Sequence, residues 1–98
     1  METRDAAVVE DVVAHVRAAL QGAAPAWGRA LVRFEVMGGC FSTRVLHGAG
    51  ERLEPLDAVR HQPLFLRLQA LGRQLSAVAG RRDGACDVEI GPRSHRTR

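Results

Sequence analysis

Six side chains in this sequence are of the types that hold zinc: His15, His47, His61 and His95, together with Cys40 and Cys86. Zinc sites draw their ligands in closely spaced pairs, because one turn of chain then fixes half of the tetrahedron. None of these six has a neighbour at such a spacing, so a site would exist only if the fold converged them. Ser42, Ser76 and the two thiols are the candidate nucleophiles, and each would need an oriented base beside it. No nucleophile elbow or family signature surrounds any of them. The glycines compose no phosphate loop, since no strand runs through a glycine-rich turn directly into a helix. The chain is therefore expected to have no catalytic residue, metal or cofactor, and not to be an enzyme.

Charged residues on a hairpin offer a different chemistry. The runs Ala30–Val36 and Phe41–Val45 alternate apolar with polar on either side of Gly38-Gly39, a pair free to take the positive φ of a tight turn. Counting outward from that turn sets Val36 against Phe41, Phe34 against Thr43 and Val32 against Val45, an apolar face for helices to cover. The opposite face then carries Glu35 with Ser42, Arg33 with Arg44 and Leu31 with Leu46. Arg33 and Arg44 repel mildly, and Glu35, diagonal to Arg44, offsets part of that. A solvated face with a charge cluster is the plainer reading. The sharper one makes Arg33, Glu35 and Arg44 the candidate partner-binding residues, meeting an acidic surface on another protein.

Nucleic acid is the alternative partner. All fourteen basic residues are arginine and the net charge is +3, but Lys, Tyr and Asn are absent, which points to a GC-rich coding bias rather than selection for phosphate. Readers of single strands set aromatics among basic residues on an open sheet face. Here Phe34 and Phe41 belong to the face expected to be buried. The arginines at the C-terminal end could still touch phosphate without sequence preference.

The elements around the hairpin follow from periodicity. Asp5 is placed to cap a helix running to about Gln21, with Val9, Val12, Val13, Val16 and Leu20 as its apolar stripe. Four valines make it intrinsically weak, so packing must hold it. Trp27 is expected to cover an edge of the core. Glu51–Glu54 reads as a short edge strand limited by Pro55. A second helix is predicted from Pro63 to about Ala79 on Leu64, Leu68, Leu71, Leu75 and Val78, and Cys86, Val88 and Ile90 alternate as a closing strand. The whole predicts an α+β fold, α-β-β-(β)-α-β, with a small antiparallel sheet and two helices packed on one face. Residues 1–91 form a single domain in this reading and residues 92–98 a flexible basic tail. No signal peptide or membrane span is read, so a cytoplasmic location with both cysteines reduced is expected.

The order of these features resembles the YezG-like family of small bacterial immunity proteins over roughly residues 5 to 91. An amphipathic helix is followed by Trp27 just ahead of a hairpin containing Val32-Arg-Phe-Glu-Val36, then a glycine-marked turn, a Leu64-Phe65 opening to a leucine-rich helix, and a short closing strand. The resemblance implies a protein partner, a polymorphic toxin domain that the chain binds and blocks. It carries no binding residue over to this sequence. Two departures stand beside it: antidotes to nucleases are commonly acidic, whereas this chain is basic, and Pro92 to Arg98 replace the family's further strand.

Overall fold

In a computed structural model describing residues 3–98, Gly38 and Gly39 have φ of 58° and 82°, values that make a two-residue turn whose twist matches the strands it joins. It connects β1 (Arg29–Met37) to β2 (Cys40–Gly48). The register is the predicted one, including Val36 with Phe41, Phe34 with Thr43 and Arg33 with Arg44. The remaining elements are α1 (Thr3–Ala23), β3 (Glu54–Pro55), α2 (Gln62–Gly72), β4 (Gly84–Ile90) and β5 (His95–Thr97). The sheet is antiparallel, in the order β3-β2-β1-β4-β5. This is the α+β architecture read from the sequence, with a fifth strand added.

Alternate residues of the central strands build the core. Val32, Phe34, Val36, Val88 and Ile90 are buried against Val9, Val12, Val13, Val16 and Leu20 of α1 and Leu68 and Leu71 of α2. Both helices thus lie on one face, and the valine-rich α1 is held by burial. Phe41 is only half-buried, stacked on Phe34 at a ring separation of 6.2 Å. Trp27 packs half-buried against the same cluster.

Four expectations need correction. Asp5 caps nothing: it lies inside α1, and its carboxylate accepts hydrogen bonds from the Ser76 N–H (3.1 Å) and hydroxyl (2.5 Å). The second helix ends at Gly72 rather than Ala79. Tight turns follow, with Leu75 N–H donating to the Gly72 carbonyl and Val78 N–H to that of Leu75, and they keep Leu75 and Val78 buried. The apolar periodicity therefore ran on past the helix itself. The short edge strand falls at Glu54–Pro55, later than the Glu51–Glu54 expected.

The fourth correction concerns the tail. His95–Thr97 pair with Val88–Ile90, and the main chains of Asp87 and Arg98 exchange hydrogen bonds. Arg17 of α1 ties down the intervening turn through the carbonyls of Gly91 (3.0 Å) and Ser94 (3.1 Å). The segment has nothing apolar to bury, which is why it read as mobile. Main-chain pairing and ion pairs order it instead.

Thr43 Oγ1 is buried on the covered side without a hydrogen-bond partner among the described residues. Replacing it with a methyl removes an unrepaid desolvation cost. Thr43→Val is expected to leave stability unchanged or raise it by up to about 1 kcal/mol in urea unfolding, whereas a loss would show that the hydroxyl is satisfied.

Candidate functional site

The face of the sheet turned away from both helices holds the three residues singled out from sequence. Arg33 sits at its centre. One guanidinium nitrogen meets both oxygens of Asp87 at 3.0 and 3.1 Å, and the other meets Glu35 at 3.1 Å. The hydrogen bond to Glu35, followed by the charge of Asp87, holds this guanidinium still more firmly protonated than usual. Arg33 is thus a neutralised, fixed charge, and Glu35 serves Arg33 rather than Arg44. Arg44, directly opposite on β2, has neither an ion pair nor a hydrogen bond among the described residues.

Asp87 is the participant that sequence reasoning missed. The alternation around it announced a strand, but nothing local announced that β4 would pair with β1 and set Asp87 beside Arg33. Next to it on β4, Glu89 binds Arg96 and Arg98 of the C-terminal segment. The open face therefore carries three carboxylates bridged to three arginines, with Arg44 left over and the half-buried pair Leu31 and Leu46 alongside. Ion pairs on strands hold side chains in place even where each adds little stability.

The hydrogen bond from Arg96 pulls the Glu89 carboxyl below its usual range against the opposing cost of desolvation, and a weaker pull from Arg98 adds to it. A carboxylate depressed in the folded state stabilises above its unfolded pKa and loses that contribution as pH falls through the folded value. Acidification below the ordinary carboxylate range is accordingly expected to loosen β5 first. Amide protection at Arg98 should fall while that of Val32 and Val88 holds, and Glu89→Gln should reproduce the loss at neutral pH.

The zinc-type residues are scattered. No group of three or more His, Cys, Asp or Glu placed to hold a metal occurs among the described residues. Among the described residues, His15 is hydrogen-bonded only by Arg67, at 3.4 Å. Cys40 is exposed at the hairpin tip, and Cys86 is buried in the core, where burial and then the charge of Asp87 push its thiol up and make it inert. A cleft of about 350 Å³ opens at the base of the sheet between Arg29, Leu31, Leu53 and Arg96, and a second of about 310 Å³ lies along the outer flank of α2 beside Val59, Phe65 and Leu66. No described helix is long and apolar enough to cross a membrane. No protein family, curated protein or solved structure matches the chain.

Proposed function

We propose that this chain is a non-catalytic protein-binding module whose open sheet face meets an acidic surface of another protein. The observation that carries the reading is Arg44, an exposed cation on β2 with no paired carboxylate among the described residues, beside a lattice of charges already engaged by mutual pairing. An unpaired arginine meets a carboxylate without first breaking an internal bridge, and the neighbours already fixed by pairing need no further ordering. The order of elements that resembles the YezG-like antidotes makes a cytoplasmic, toxin-neutralising immunity protein the specific form of this proposal.

Nucleic-acid binding has less support. Arg96 and Arg98 are engaged by Glu89, Phe34 is fully buried, and the Arg73 guanidinium lies over the Phe41 ring at 4.8 Å. No free aromatic platform remains on the open face.

The test starts from the product of the gene beside this one, mixed with the purified chain. A complex is expected whose association slows about five- to tenfold in Arg44→Glu at low salt, with the difference shrinking at high salt. Arg44 is a cleaner probe than Arg33, whose reversal would break two internal bridges and crowd three carboxylates. Micromolar binding to DNA or RNA at about 50 mM salt, lost on removing residues 93–98, would replace the protein partner with a nucleic acid.

A further inference from the structure

Strand β2 is nine residues long, yet β3 pairs only with Leu46 and His47 at its far end. The Leu56 N–H donates to the Val45 carbonyl at 2.8 Å, so Val45 presents its main chain away from β1. Main-chain direction alternates along a strand, and Thr43 and Phe41 therefore present theirs outward as well. Among the described residues, no loop or side chain hydrogen-bonds to either. Natural sheets protect their edges with short strands, prolines or coverings. The opposite edge obeys that practice, since β5 has three residues, and so does β3, with Pro55. The stretch Cys40–Arg44 does not.

The side chains flanking this edge are cationic on both faces. Arg44 stands on the open side, and Arg73 lies over Phe41 on the covered side, neither of them with an ion pair among the described residues. Elsewhere, the flank of α2 offers an apolar groove beside Phe65, where Leu66 is 60% and Val59 86% exposed. We infer that the free edge of β2 receives an extended acidic segment of another protein as an added strand, pairing with the main chains of Phe41 and Thr43. An added strand turns alternate side chains to the two faces, so carboxylates at adjacent positions reach Arg44 and Arg73 in turn. A second copy of this chain fits poorly, because Cys40–Arg44 contains no carboxylate and self-pairing would gather two Arg44 and two Arg73 along one seam. The inference rests on the protein-binding reading and places the contact at the edge.

The test is an NMR titration of the whole chain with an end-capped peptide of about eight residues built from Glu, Val and Thr. Protection of the Phe41 and Thr43 amides is expected to rise about tenfold at saturation. N-methylation of the peptide on the alternate residues that face β2 should abolish this, and N-methylation on the other set should not. Arg44→Gln and Arg73→Gln should each weaken binding about threefold, less at high salt. Equal binding of a peptide with Lys for Glu, or no binding at about 1 mM, would overturn the inference. So would shifts confined to the open face, an outcome that leaves the protein-binding reading standing. Protection that grows with the concentration of the chain alone, accompanied by a dimer in sedimentation, would replace the acidic segment with a second copy. The Arg44→Glu association measurement judges the protein-binding reading independently of all these outcomes.

Discussion

Truncation of Phe34 to Ala is expected to cost about 4 kcal/mol, the largest loss from any single side chain in the molecule. Phe34 is fully buried on β1, the central strand, between Cys86 of β4 and Thr43 of β2, and its ring stacks on Phe41 while its face meets Gly72. No neighbour can move in to fill the space, since β1 is hydrogen-bonded on both sides. A domain of this size commonly has about 5–15 kcal/mol in all, so the variant should melt roughly 15–30 °C lower. Thermal and urea unfolding measure it. A loss below about 1 kcal/mol would mean that the covered and open faces of the sheet had been exchanged.

Gly72→Ala should also destabilise, although helix propensity alone argues the other way. Ala is favoured over Gly inside a helix by about 1 kcal/mol. A Cβ at Gly72, however, would lie 2.3 Å from Cδ1 and 2.6 Å from Cε1 of Phe34, far inside contact distance. The ring has no free volume to retreat into, and overpacking of this kind costs about 1–3 kcal/mol after relaxation. A net loss of about 2 kcal/mol is expected, because steric cost exceeds propensity. The double variant Phe34→Leu with Gly72→Ala should be more stable than the sum of the singles, since the smaller side chain makes room for the methyl. A Gly72→Ala protein at least as stable as the parent would show that α2 stands off the sheet.

The two faces of the hairpin were legible because they depend on local facts. Gly38-Gly39 set the turn, and period-two alternation decided which side chains the sheet would bury. Two features were not legible, for the same reason. Asp87 reaches Arg33 across more than fifty residues of chain, and no local pattern encodes which strand β4 joins. β5 has no apolar residue to advertise it, and its order comes from the Arg17 clamp, the Glu89 bridges and main-chain pairing. The overlong second helix had a different cause. Leu75 and Val78 do point into the core, but from tight turns that reproduce helical spacing for a few residues. At the candidate surface, sequence placed Arg33, Glu35 and Arg44 on one face and misjudged only which of them were neutralised.

The strand order has a consequence for how the protein is made. β1 leaves the ribosome just ahead of β2, its partner on one side, two residues away. Its other partner, β4, begins at Gly84 and is translated only after α2 and the turns that follow it. For that interval Val32 and Phe34 sit on a strand with one side unpaired, exposed to any passing extended chain. Of all the pairings in the sheet, β1 with β4 closes the longest loop, so it should limit the folding rate. The hairpin is expected to form first, and α1, already synthesised and rich in valine, is the element at hand to shelter its apolar face until the last strands arrive.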